Sequence, residues 1–246
     1  MRLSKLIALV AFSLLWTLGA AAKEKDKQPA GDLVDSGSFG IFLNDKRVAT
    51  ETFSVHQSKG GDSTAVSQFK EEGSNNPSQR SEMQMNTSGA LIRYEWHELS
   101  PGKSEIVLVP NNEFLVERVV ENPGDKAKEK PFLMPNTSVI LDNNFFIHRE
   151  ILVWKYMASS CPLENGRMKC GPAQFGAIIP QERDSVRINI TPVSQEKVTL
   201  NGTQRELVHL SLKVEDADWD LWLDPQDHFK LMRVSRVGEN IQIVRD

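Results

Sequence analysis

Positive charge is in short supply. The 246-residue chain carries 29 Lys and Arg against 33 Asp and Glu, a formal net charge of −4. Nucleic-acid binding needs clustered positive charge, so this balance argues against nucleic acid as a partner. Cysteine is scarcer still: Cys161 and Cys170 are the only two. Their spacing does not match the C-x-x-C of a redox pair. The five histidines never form H-E-x-x-H. G-x-S-x-G, the phosphate-cradling Walker loop and the dinucleotide glycine pattern are all missing. These absences leave no assignable catalytic residue, and neither a cofactor nor a metal is expected. Long apolar runs are missing too, with one exception. Leu6 to Leu18 is uncharged, but as a helix it reaches only about 20 Å, against the ~30 Å of a hydrocarbon core.

That exception is informative. Arg2 and Lys5 precede the apolar run and Ala20-Ala21-Ala22 follow it, which is the layout of a cleavable secretory signal peptide rather than a membrane anchor. We expect residues 1–22 to be the signal peptide, 23–35 a charged flexible leader, and 36–246 a single domain. No stable membrane span should remain after cleavage, and the mature protein should be periplasmic or secreted. In that compartment thiols oxidise. The segment SSCPLENGRMKCGP is short, polar and turn-rich, so a Cys161–Cys170 disulfide is expected, with two free thiols as the alternative.

The rest of the chain reads mainly as strand. FGIFLNDKRVATETFSV is a hairpin signature, with apolar residues alternating on either side of Asn44-Asp45-Lys46. Ser88-Gly89, Pro101-Gly102 and Asn111-Asn112 mark further turns. Asn201-Gly202 separates EKVTL from TQRELVHLSLKV, where Val208, Leu210, Leu212 and Val214 share one face. Residues 121–131, ENPGDKAKEKP, read as a charged loop. Residues 141–157, LDNNFFIHREILVWKYM, read as a helix, with Asp142 and Asn143 as N-cap candidates; a strand pair is the alternative. This helix would be apolar almost all round, which implies burial on more than one side. The expected fold is mainly β: a strongly curved antiparallel sheet or unclosed β-barrel of about 11–12 strands, with one helix covering its concave side.

Two constellations look like chemistry. DADWDLWLDPQDHF, Asp216–Phe229, crowds aspartates, tryptophans and a histidine. It reads as strand, turn and strand, with Asp224-Pro225 opening the turn. A metal site built from Asp220, Asp224, Asp227 and His228 is the competing reading. Glu95 and His97 share a strand face, as an acid–base pair or as a solvated ladder. More suggestive is the aromatic and methionine content: Phe53, Met83, Met85, Tyr94, Trp96, Trp154, Trp219, Trp222 and Met232 could line an interior. Tyr94, Trp96, Phe146, Val153, Met157 and Trp222 are expected to face an apolar space beneath the helix, which is either a ligand cavity or a packed core.

The strand Leu221-Trp222-Leu223-Asp224 with its basic return strand, together with the opening hairpin FGIFLNDKRVATETFSV, resembles a group of uncharacterised exported bacterial proteins. These are similar in outline to the lipoprotein-carrier fold of bacterial periplasms. The resemblance implies an unclosed barrel with helix on its concave side, and carriage of an apolar, lipid-like ligand in envelope assembly. The chain departs from the carriers in having one clear helix and a disulfide-sized loop. The alternative is an interaction module that binds an envelope protein and no small ligand. An enzyme is the least favoured class.

Overall fold

The computed structural model describes residues 29–164, 167–200 and 202–246, apart from the side chain of Arg167. The signal-peptide segment lies outside the described residues, as does Asn201 of the expected turn. Eight strands come first: β1 (Asp32–Leu43), β2 (Lys46–Gln57), β3 (Ser63–Glu71), β4 (Gln79–Met85), β5 (Leu91–Glu98), β6 (Glu105–Asn111), β7 (Phe114–Val120) and β8 (Lys128–Phe132). Each pairs antiparallel with the next. After the short β9 (Val139–Ile140) comes the helix α1 (Ile147–Ser160), then a small separate hairpin of β10 (Leu163–Glu164) and β11 (Arg167–Met168). A second meander follows: β12 (Ala173–Ile179), β13 (Asp184–Leu200), β14 (Thr203–Val214), β15 (Ala217–Asp224), β16 (Lys230–Arg236) and β17 (Ile241–Arg245). A turn of 3₁₀ helix, Pro180–Glu182, joins β12 to β13.

The two meanders become one sheet because β1 pairs antiparallel with β17, from Phe39↔Arg245 to Leu43↔Ile241. The result is a single curved 15-stranded sheet whose outermost members are β8 and β9. No ladder joins these two edges, so the barrel is unclosed. Side chains span the seam instead. Lys130 Nζ on β8 donates to the backbone oxygen of Arg183. Arg183 Nε donates to the buried Glu117 carboxylate on β7 at 3.0 Å. Ile140 and Ile178 pack in one cluster with Leu115 and Phe132.

Alternation gives each strand its inner face. On β13, Val186, Ile188 and Ile190 are buried while Arg187 and Asn189 face water. Pro192 sits next to a break in the β13–β14 register, where a missing N–H is tolerated. The inner faces of both meanders pack on α1 through Phe39, Phe53, Leu210, Leu221 and Ile243 against Phe145, Leu152, Val153 and Tyr156.

Four features differ from the sequence expectation. The sheet has 15 strands rather than 11–12. One of the extra strands, β8, lies within the segment read as a charged loop; Lys128, Glu129 and Pro131 suit an edge strand, which charge and proline protect from further pairing. The chain enters the sheet at Asp32, inside the segment read as a leader, because Asp35 is buried against Arg245. The helix starts at Ile147, and Asp142 does not cap it. Asp142 Oδ1 instead accepts from Asn144 N at 2.9 Å. The helix start has no side-chain cap from its own segment. Glu51 on β2 supplies one: its carboxylate accepts from Phe146 N at 2.5 Å and Ile147 N at 3.2 Å. A carboxyl at this end satisfies orphan N–H groups.

Candidate functional site

One side of α1 leaves the sheet uncovered. Between the helix, the end of β4, the turn from Asn86 to Leu91 and the strand β9 lies a cleft of about 620 Å³. Its floor is apolar: Met83, Leu91, Val139, Ile140 and Leu152 are buried there, with the half-buried Met85 and Ile151 beside them. Its rim is polar and reaches solvent at Gln57, Thr87, Ser88 and Ser159. The helix contributes a stripe of His148, Ile151, Leu152, Lys155, Ala158 and Ser159, as 3.6-residue spacing requires, with Trp154 at its side. The turn wall is held by Asn86, whose Oδ1 accepts from Ser88 N and Ala90 N, both at 3.0 Å. Gly89, at φ 71°, supplies the left-handed residue of that turn. Leu91 N donates to Asn136 O at 2.7 Å, tying the wall to the β8–β9 connection.

Two ionisable groups line this cleft. His148 is buried, its Nδ1 has no partner, and burial holds its pKa down at about 3. It is therefore neutral at any working pH. Lys155 donates to Gly89 O at 3.3 Å and to Thr137 O. Burial lowers its pKa. Among the described residues no carboxylate lines the cleft.

Around the first turn of α1 lies a denser polar set. Glu51, buried, also accepts from Ser67 Oγ at 2.6 Å; burial raises its pKa to about 7 against these hydrogen bonds. Tyr94 Oη and Gln181 Nε2 both donate to Asp142 Oδ2. The Arg149 guanidinium lies 4.6 Å from the Phe146 ring centroid and 4.9 Å from that of Trp219. Glu150 accepts from Leu231 N at 2.7 Å and from Arg245 Nη1 at 2.8 Å. Burial pushes its pKa up to about 8. Arg245 also pairs with the buried Asp35. These groups pair with one another around the helix start, although Arg149 Nε, Glu150 Oε1 and Gln181 Oε1 are buried without a hydrogen-bond partner; none of them lines the cleft, unlike their neighbour His148.

The six residues singled out in the sequence fall elsewhere. Phe146, Val153 and Met157 join the main core, Phe146 and Val153 fully and Met157 at its edge. Tyr94 is buried in the cluster of β4–β8. Trp96 bridges both clusters and donates to Gln79 Oε1 at 3.2 Å. Trp222 lies on the opposite face of the sheet, with Leu200 and Leu207. None of the six lines the 620 Å³ cleft. Cys161 and Cys170 are joined by a disulfide just past the helix. Met83, Met85, Leu91, Ile151 and Leu152 form the cleft, with Trp154 beside them; Met83, Met85 and Trp154 belong to the aromatic and methionine set read from the sequence as lining an interior, whereas nothing in the sequence assigns Leu91, Ile151 and Leu152 to it. The signal available was the helix stripe 148, 151, 152 and 155, which is part apolar and part basic.

The Asp/Trp segment is a turn. Asp224 Oδ1 accepts from Gln226 N at 2.9 Å and its backbone oxygen accepts from Phe229 N at 2.9 Å. Among the described residues no group of three or more His, Cys, Asp or Glu is arranged to hold a metal ion. Glu95 and His97 form part of a ladder with Arg93 and Glu105.

No known protein family matches the sequence, and no curated protein matches it. A solved structure does resemble the fold, with a TM-score of 0.51 at 10% identity, covering 88% of this chain and 97% of the other. It is the crystal structure of a beta-barrel-like protein of the Domain of Unknown Function DUF1849 from Brucella abortus. The likeness speaks to fold alone. Among the described residues no helix is long and apolar enough to cross a membrane.

Proposed function

We propose that the protein is exported to the periplasm and binds an apolar, lipid-like ligand in the cleft beside α1, as a carrier in the cell envelope. The supporting observation is the cleft: about 620 Å³ of open space with a floor of Met83, Leu91, Ile140 and Leu152. Ligand sites run from roughly 300 to 1,000 Å³, mostly apolar with a few placed polar groups. At about 30 Å³ per water-sized group, the space suits one long acyl chain. The leader-like N-terminus and the Cys161–Cys170 disulfide support the compartment.

The test is binding of an uncharged fluorescent alkyl probe, followed by displacement with an unlabelled lipid. We expect saturable binding. Met85→Asp, which sets a charge in the half-buried wall, should weaken it by roughly tenfold or more while costing about 1 kcal/mol of stability. No saturable binding by the wild-type protein would move the reading to an envelope protein-interaction module.

A further inference from the structure

The cleft carries information about the headgroup of its ligand. Lys155 is the only charged side chain that lines it among the described residues, since His148 is held neutral. The Lys155 ammonium donates to two backbone carbonyls, Gly89 O and Thr137 O. An ammonium group has three donors, so one remains. Gly89 lies on the turn wall of the cleft, and Thr137 lines a smaller neighbouring recess that shares Lys155 and Ser138 with it, so the ammonium is held at the rim between the two rather than free to swing away. It is half-buried, and among the described residues no ion pair offsets the cost of that burial. From Lys155 the apolar floor runs down the same helix stripe through Leu152 and Ile151 to His148, about 10 Å along the axis. A polar rim with one fixed cation above an apolar trough is complementary to a molecule with an anionic end and a hydrocarbon tail.

We propose that the cleft binds a single-chain amphiphile with an anionic headgroup, a carboxylate or a phosphate, which Lys155 reads while the tail lies against Met83, Met85, Leu91 and Leu152. This rests on the apolar-ligand reading above and adds the charge of the headgroup. The competing ligands have the same tail and a neutral or cationic head, for which Lys155 offers nothing or repels.

Displacement of the uncharged alkyl probe separates the two claims. The displacing ligands are dodecanoate, dodecyl phosphate, dodecanol and dodecylammonium at pH 7.5. At least one anion should displace the probe roughly tenfold more effectively than dodecanol, and dodecylammonium should be the weakest. The better anion names the headgroup. In Lys155→Met the ratio of anion to dodecanol affinity should fall close to one, and Lys155→Arg should keep it. Equal affinities for the anions and dodecanol in the wild-type protein would overturn the headgroup proposal and leave the apolar site standing. So would a preference that survives in Lys155→Met. Failure of every ligand, probe included, would overturn both.

Discussion

The sheet carries two clusters in which carboxylates, cationic side chains and aromatic rings meet, one on each face. On the concave side Asp35, Glu150 and Arg245 bind one another beneath α1, with the Arg245 guanidinium 5.0 Å from the Phe53 ring centroid and 5.5 Å from that of Phe39. On the convex side Trp222 stacks on His209 at 4.8 Å and donates to Glu196 at 2.6 Å, while His209 bonds Asp220 at 2.8 Å and Arg233 covers the indole. The residue types are alike; the depth is not. Side-chain exposure is 2%, 0% and 9% for Asp35, Glu150 and Arg245, but 15%, 27% and 43% for His209, Asp220 and Glu196. Outside, water replaces a lost partner. Inside, nothing does, so the concave cluster fixes where α1 sits and therefore the shape of the cleft beside it.

The sharpest way to break this contrast is to remove the central cation. Arg245→Leu leaves Asp35 and Glu150 facing each other under the helix. Breaking a buried pair by deleting one partner costs about 3–5 kcal/mol, and the lost contacts with Phe39 and Phe53 add to it. Urea unfolding should show a loss of that size. A loss below about 1 kcal/mol would mean that water reaches the cluster and that the two faces are energetically alike.

The concave carboxylates also make a statement about pH. Burial raises the pKa of Glu51 to about 7 and that of Glu150 to about 8, both from 4.5. A group whose folded pKa is raised contributes stability that is fully present below its unfolded pKa and lost as pH rises through the folded one. The melting temperature should therefore fall between pH 5 and pH 9. Asp35 has the opposite sign. Burial pushes its pKa up, but hydrogen bonds from Glu150 and Arg245 bring it below the usual carboxylate value, so its contribution is lost only on acidification below that range. Glu51→Gln removes the charge but keeps only one accepting oxygen, so either Phe146 N or Ile147 N loses its partner. Its stability loss relative to the wild type should be largest at pH 5, where Glu51 is neutral, and should shrink or reverse towards pH 9. A flat profile in the wild-type protein would remove the distinction between buried and exposed carboxylates.

The strands, their turns and the disulfide are local features, and the sequence displays them locally. Val208, Leu210, Leu212 and Val214 alternate because one face of β14 is buried, and the pattern needs no partner to be read. The start of α1 could not be placed this way. Asp142 and Asn143 resemble caps, yet the group that satisfies the first helix N–H groups is Glu51, 95 residues away from Phe146. His148-Arg149-Glu150 inside an apolar run signals buried polar partners, but no local pattern points to Asp35 on β1 or Arg245 on β17, which are 210 residues apart in sequence and on neighbouring strands. The cleft was legible only by half. The helix stripe can be counted, whereas its opposition to Met83, Met85 and Leu91 depends on where the barrel fails to close. Tyr94 and Trp222 show the same limit from the other side: alternation assigns each to a face, and only the curvature decides what that face covers.

The smallest expected effect tests the convex side. Asp224 opens the β15–β16 turn, accepting Gln226 N at 2.9 Å, and its other oxygen takes Arg205 Nη1 at 3.0 Å. Asp224→Ala removes a turn-closing acceptor, a loss comparable to that of a helix cap, about 0.5–2 kcal/mol. The ion pair adds little, because Arg205 is nearly half exposed and its head stays hydrated. The two contributions separate with salt and with a second variant. Asp224→Asn keeps an acceptor for Gln226 N and should recover most of the stability, and 0.5 M salt should leave the difference between wild type and Asp224→Ala nearly unchanged. If instead Asn fails to recover the loss and salt erases it, the Arg205 pair is the stabilising element. The convex cluster would then depend on its charges as the concave one does.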